Sequence, residues 1–331
     1  MWTLSPDLLL KDTLDLWSSR ALAAGQHLGV FAELGKGPRT AARLAATLGL
    51  APGAASDLLD ALVALGWLQR EGDDADAVYV STRTSAQYLD PRGSAYLGDL
   101  LQAARAPLQA SDDSRLDDAL RARAPARAPP VSPVWDAQCQ LMRRRLGALH
   151  GQALATLPVA AMARRVLSLN DAGACLARAW AAQAGPRTRF TSLQGAEDAA
   201  ATCAEVPTAA MAARVQVVSD DTPTEEHDLL VFNLVLAPGD SAWRRAGLRK
   251  ALRWLGPGAR VLLLDHLADD ARRVQVPALV FGLAQRMTGQ AQGTRTEGEL
   301  RADCLAVGLQ PDECLPLLGG ASVLVTHQAL A

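Results

Sequence analysis

Lysine is almost missing from this sequence: Lys11, Lys36 and Lys250 are the only lysines among 33 basic residues. The rest are arginines, a bias that, with the many alanines, reads as compositional drift. No charge of one sign dominates. The 33 basic against 35 acidic residues leave a formal net charge of -2, which gives no general electrostatic grip on nucleic acid. No window holds the run of about 18 apolar residues that a membrane span needs. Residues 1–11 carry Asp7 and no basic cluster ahead of an apolar stretch, so no secretory leader is expected. Cysteine is scarce and scattered. Cys139, Cys175, Cys203, Cys304 and Cys314 form no CxxC and pair with no histidine at metal spacing. Neither a disulfide framework nor a zinc site is expected, and the expected compartment is a reducing cytoplasm with no membrane partner.

What is present suffices for a folded protein. The chain has 331 residues, 49% hydrophobic and 21% charged, which as a prior means two domains or one large one. Apolar residues from Leu8 to Phe31 recur at roughly helical spacing, so a helix is expected over 4–34. Gly37-Pro38-Arg39-Thr40 opens a short helix ending at Leu48-Gly49-Leu50, and Ala51-Pro52-Gly53 turns the chain. A helix over 54–65 places Leu58, Leu59, Leu62 and Leu65 together before Gly66. Residues 67–70 and 78–81 alternate like strands. Helix, turn, helix and hairpin in this order make a winged helix.

A winged helix that reads DNA needs Arg, Lys, Asn or Gln on its second helix. This one carries Asp57 and Asp60, and its wing tip is acidic. Phosphate repels both, so packing or dimerisation is expected and nucleic acid is not.

Residues 105–135 are rich in Pro, Ala and Arg and read as a connection or broken helix. A helix over 137–157 follows. Strands are then expected at 165–169, 188–193, 214–218, 228–235 and 259–264. Helices are expected at 174–184, 241–254, 270–288 and 296–307, with apolar segments at 309–317 and 321–326. The alternation predicts an α/β, doubly wound, Rossmann-like parallel sheet whose ligands bind at the carboxyl ends of the strands. The expected division is 1–104 for the winged-helix unit, 105–160 for linker and connecting helices, and 161–331 for the Rossmann-like domain.

This arrangement resembles the two-domain S-adenosylmethionine (SAM) dependent O-methyltransferases that act on small phenolic, polyketide or isoprenoid metabolites. Ser19-Arg20-Ala21-Leu22, His27-Leu28-Gly29-Val30-Phe31 and Leu58-Leu59-Asp60-Ala61-Leu62 are similar to the family's wording. So are Ser94-Ala95-Tyr96-Leu97-Gly98, Arg295-Thr296-Glu297 and Ala306-Val307-Gly308-Leu309. The resemblance implies a class I methyltransferase domain, a dimer formed through the N-terminal helices (with itself or with a homologue), a small-molecule ligand, and SAM as cofactor.

The site motifs depart from that pattern. The family's glycine-rich turn corresponds to Val166-Leu167-Ser168-Leu169-Asn170-Asp171-Ala172-Gly173-Ala174-Cys175. Ser168 stands where an Asp is usual. Asn170, Asp171, Ala172 and Ala174 stand where glycines are usual, and Gly173 is the one glycine left. Side chains there fill space the cofactor needs; the plain alternative is a strand-to-helix turn capped by Asn170 or Asp171. The carboxylate that grips the ribose is replaced by Ser192. Asp221, after the third strand, matches the acidic residue near the adenine.

The family's catalytic base, a His after the fourth strand, aligns with Ala237. Its helping carboxylate aligns with Thr294. His266, beside Asp265 at the end of the fifth strand, is the remaining titratable candidate. Asn233 is a polar ligand contact, and Met142, Phe281 and Met287 fall where the family lines its substrate pocket. His27 and His150 read as packing or surface groups, His227 as exposed, and His327 lies near the end of the chain. Three functions follow: a family fold in small-molecule biosynthesis that has lost methyl transfer and binds or converts a metabolite; a non-catalytic partner subunit; or a divergent active O-methyltransferase.

Overall fold

The computed structural model describes residues 7–72, 76–93, 95–101, 133–194, 213–219, 226–235, 240–272, 278–279, 282 and 294–328. The chain divides into two compact units, Met1–Gln109 and Ala110–Ala331.

The first unit contains α1 (Asp7–His27), α2 (Val30–Leu34), β1 (Arg39–Thr40), α3 (Ala41–Leu48), α4 (Pro52–Ala64), β2 (Leu68–Glu71), β3 (Val78–Ser81) and α5 (Arg83–Tyr88). The single helix expected over 4–34 is in fact two. Gly29 adopts a left-handed conformation, φ 85°, which leaves the helical ladder and restarts it at Val30. Thr40 caps α3 by accepting from the Arg43 amide, and Pro52 opens α4, where its missing N–H costs nothing. The strands pair antiparallel in the order β1-β3-β2. Phe31, Leu44, Leu59, Leu62, Leu68 and Tyr79 form the core. Asp60 ties α4 to the wing: its carboxylate accepts from Tyr79 Oη at 2.6 Å and from Arg70 Nη1 at 3.3 Å. The acid read as hostile to phosphate thus fastens helix to wing.

The second unit opens with α6 (Pro133–Leu154) and α7 (Pro158–Met162). Then come β4 (Arg165–Leu169), α8 (Cys175–Gln183), β5 (Arg189–Gln194), β6 (Val215–Ser219), β7 (His227–Asn233), α9 (Ser241–Leu252) and β8 (Leu255–Asp265). The unit closes with β9 (Leu267–Ala268), β10 (Arg295–Thr296), α10 (Glu297–Leu305), β11 (Leu309–Pro316) and β12 (Ser322–Gln328). Seven strands make one sheet in the order β11-β12-β8-β7-β4-β5-β6. The sheet is not wholly parallel. β12 runs antiparallel to both β8 and β11, because the short 317–321 connection cannot make the crossover of a dozen or more residues that a parallel return needs.

Alternate residues of the buried strands serve two cores. Val166, Val231, Leu262 and Leu264 face α6 and α8. Leu167, Leu230, Leu263 and Leu324 face α9 and α10. Gly151 lets α6 lie directly on the start of α8: a Cβ there would stand 2.2 Å from the Leu176 carbonyl oxygen. The helix expected over 270–288 falls mostly outside the described residues, and 270–272 form a turn. Among the described residues, no helix is long and apolar enough to cross a membrane.

Candidate active site at the strand ends

β4 runs straight into the altered turn. Asn170 and Ala174 hold left-handed backbone at φ 55°, and Gly173 does so at φ 66°. The turn therefore keeps backbone shapes that favour glycine while two of its residues carry side chains, a strained choice for Ala174 in particular. Asp171 explains how the turn is held. Its carboxylate accepts from the Leu176 amide at 2.8 Å and the Ala177 amide at 3.0 Å, and Ser168 Oγ donates to it at 3.1 Å. These amides open α8, where a helix favours an anion. The chain supplies that anion itself. Burial raises the Asp171 carboxyl above its ordinary range, against the three hydrogen bonds that pull it down.

Ser168 and Ser192 are register partners on adjacent strands and both are buried. Neither brings a charge. Asn170 Nδ2 donates to the Asn233 carbonyl at 2.6 Å, joining the ends of β4 and β7. Asn233 Oδ1 in turn accepts from the Val235 amide at 3.1 Å. Asp221, Phe281, Met287 and Ala237 lie outside the described residues. Met142 lies on α6, partly buried against the core.

Asp265 and His266 come together at the end of β8. Asp265 is paired with Arg295: Arg295 Nε lies 2.5 Å from Asp265 Oδ2, and both side chains are buried. Asp265 Oδ1 also accepts from the His266 amide at 2.8 Å. Arg295 Nη2 donates to the Leu234 carbonyl at 2.8 Å, so one guanidinium spans the ends of β7 and β8. His266 Nε2 lies 3.1 Å from the Gly319 carbonyl. Burial lowers its pKa, with Asp265 acting the other way.

One histidine, His227, differs from expectation, and His150 takes the packing alternative. His227 is buried, with Nε2 3.1 Å from Thr191 Oγ1. The polar loop before it suggested exposure, but β7 starts at His227 itself. His150, expected to pack or lie on the surface, is fully buried (0% exposed), and its ring centroid lies 6.2 Å from that of His266 in an edge-on arrangement. The signal was in the sequence. Met142, Leu146, His150 and Leu154 recur every four residues, which puts one imidazole in the inward apolar stripe of α6. Neither ring nitrogen of His150 makes a well-formed hydrogen bond among the described residues, the Leu318 backbone being its polar neighbour there. Burial and the neighbouring His266 push its pKa down to about 4, with the Leu318 backbone acting weakly in the opposite sense.

A histidine whose folded pKa lies below its unfolded value makes the protein acid-sensitive. Its neutral form is favoured in the fold, so stability is full above about pH 6.5 and falls as pH drops toward 4. His150 alone should cost about 2–3 kcal/mol between pH 7 and 4.5. Urea melts at the two pH values should show that loss in the natural chain. The part owed to this ring should vanish in His150→Leu, whereas an identical acid response in both proteins would contradict the assignment.

Cys175 is disulfide-bonded, contrary to the expectation drawn from scattered cysteines, since sequence spacing does not report which thiols meet in space. Cys304 and Cys314 are free. Among the described residues no cluster of three or more His, Cys, Asp or Glu side chains could hold a metal ion.

Residues 12–91 match the O-methyltransferase dimerisation domain. The chain is 27% identical over 306 residues to the tetracenomycin polyketide synthesis 8-O-methyl transferase of Streptomyces glaucescens, covering 89% of this chain and 88% of that one. It is 26% identical over 295 residues to the 3-hydroxy-5-methyl-1-naphthoate 3-O-methyltransferase of Streptomyces sahachiroi, covering 84% and 82%. Its fold is that of human N-acetylserotonin methyltransferase in complex with SAM, with a TM-score of 0.78 at 18% identity over the whole of both chains. CalO1, a methyltransferase in calicheamicin biosynthesis bound to S-adenosylhomocysteine (SAH), has a TM-score of 0.77 at 20% identity over 99% of this chain and 100% of that one. With the matched dimerisation domain and relatives aligned over most of their length, the chain is similar to O-methyltransferases and carries the pattern of their N-terminal dimerisation domain.

Proposed function

We propose that this protein works in small-molecule biosynthesis as a dimer of the O-methyltransferase fold that no longer transfers methyl groups from SAM and instead binds, or converts by other chemistry, a polyketide-type aromatic metabolite. The carrying observation is the carboxylate of Asp171 on the Leu176 and Ala177 amides. The start of α8 is already satisfied from within, in a turn crowded by Asn170 and Ala174, so the residues present do not fit SAM. The substrate class follows the relatives, whose names specify a tetracenomycin polyketide and a hydroxylated naphthoate. Asp265 and His266 remain the crevice groups proposed for any chemistry, with Ser168, Asn170, Gly173 and Ser192 lining the former cofactor side. Calorimetric titration with SAM and SAH tests the reading.

A partner-subunit role is the second reading. It is favoured by the contrast between a first unit that keeps the family pattern over 12–91 and a turn that does not. The proposed dimer, with itself or a homologue, uses the N-terminal helices. Leu14 on α1 is 64% exposed, a large apolar side chain that a partner should cover. Light scattering at micromolar concentration is expected to give twice the monomer mass. A monomer that stays single in the presence of a co-expressed homologue would count against this interface.

A further inference from the structure

The amino ends of the strands, at the edge of the sheet opposite the crevice, carry a group of arginines on two short segments. Arg164 and Arg165 lead into β4, and Arg187 and Arg189 lead into β5. Three contacts fix these segments side by side. Thr188 Oγ1 donates to the Ala163 carbonyl at 3.1 Å, the Arg189 amide donates to the Arg164 carbonyl at 2.8 Å, and Arg165 and Arg189 are register partners. Val166 and Phe190, the next residues, both face the α6 and α8 side, so Arg165 and Arg189 lie together on the other face. Like charges paired in register destabilise a sheet.

Arg164, Arg165, Arg187 and Arg189 are all exposed. Among the described residues, none of their guanidiniums is paired with a carboxylate. The Asp228 carboxylate accepts instead from the Arg164 and Arg165 amides, at 2.9 and 3.1 Å. Arg214, just before β6, shows the contrast. Its guanidinium donates to the Ala181, Ala184 and Gly185 carbonyls at the end of α8, a structural task that accounts for it. The exposed four have no such task. Met162, at the end of α7 and two residues before Arg164, is 83% exposed. An apolar side chain beside unpaired arginines is the composition of a protein interface, where Met and Arg are enriched. Holding a phosphate backbone needs the charges alone.

We propose that Met162, Arg164, Arg165, Arg187 and Arg189 form a docking surface for a carboxylate-rich, amphipathic segment of a partner protein. The guanidinium forks match its carboxylates, and Met162 packs on its apolar side. The surface lies wholly in the second unit, at the end of the sheet away from Asp171, Asp265 and His266, so a partner seated there leaves the crevice open. The inference goes beyond the proposed metabolite function and holds with or without it.

The test uses two synthetic helical peptides of equal length. One has Glu on one face and Leu on the other, and the second has Gln in place of every Glu. Binding to the full chain is followed by fluorescence anisotropy. The natural chain is expected to bind the Glu peptide about tenfold more tightly than the Gln peptide, a difference that shrinks as salt rises from about 0.05 to about 0.5 M. The double variant Arg165→Gln, Arg189→Gln should bind the Glu peptide about tenfold more weakly. It should also melt about 1–2 °C higher, because the like-charge pair has gone. Met162→Ser should weaken both peptides. Arg249→Gln with Arg253→Gln removes the same charge at α9 and should change binding by no more than about twofold. No binding of the Glu peptide, equal binding of the two peptides, an equal loss in the α9 control, or unchanged binding in Met162→Ser would each overturn the proposal. Tighter binding of single-stranded DNA or of phosphatidylglycerol vesicles through the same arginines would overturn it as well, in favour of a polyanion or membrane surface. SAM and SAH titrations are expected to be the same in the natural chain and in the Arg165, Arg189 double variant. A difference would tie these arginines to the crevice and sink the separate surface.

Discussion

SAM and SAH are expected to bind this protein at least tenfold to a hundredfold more weakly than they bind human N-acetylserotonin methyltransferase titrated beside it. The start of α8 offers two amides and the positive end of a helix. Both amides are bonded to Asp171, which also takes the Ser168 hydroxyl. A ligand that claims this end must displace a carboxylate held by the fold itself. Charge-assisted hydrogen bonds contribute about 1.5–3 kcal/mol each, so losing one is worth roughly tenfold to a hundredfold. The uncharged Ser192, aligned with the ribose acid, removes another. Side chains on Asn170 and Ala174 in left-handed backbone narrow the approach further. Asp171→Gly separates these causes. It frees the amides and should recover affinity partway, at about 1 kcal/mol of helix-capping stability. A low-micromolar dissociation constant for the natural chain would sink the reading and restore the divergent active methyltransferase.

The parts of the fold that were legible from sequence share one property: their pattern is local. β4, apolar after Arg165 except at Ser168, and the end of β8 read as buried runs because both faces of the sheet are covered, and the run itself is the signal. The first helix of the wing unit is bounded by Thr40, whose capping chemistry is readable from the sequence, whereas Pro52, expected in a turn, instead opens α4. Errors arose where long-range pairing decides. β8 begins at Leu255, four residues earlier than its apolar run, because Gly256, Pro257 and Gly258 disguise a segment that pairs across to His227. The reversal of β12 is fixed by its partners on either side.

The candidate site divides in the same way. The missing glycines and the capping role of Asp171 follow from the local turn. Asn170 reaching the Asn233 carbonyl, Arg295 reaching Asp265, and His150 facing His266 join residues 63, 30 and 116 positions apart. Hydropathy alone marks the first as a turn and the last as one polar residue in a helical stripe.

Breaking the Asp265–Arg295 pair should have the largest effect on stability. Both side chains are buried at the end of β8, and Arg295 also holds the Leu234 carbonyl at the end of β7. Arg295→Met leaves a carboxylate buried without its counter-charge. Asp265→Leu leaves a guanidinium in the same position. Each is expected to cost about 3–5 kcal/mol, because desolvation of the remaining ion is no longer offset. In thermal melts this is a fall of roughly 10 °C. The double variant should cost less than the sum of the two, since it buries no lone charge, with a coupling of about 2 kcal/mol or more. Single variants within about 0.5 kcal/mol of the natural chain, or strictly additive costs, would show that the pair is not engaged in solution.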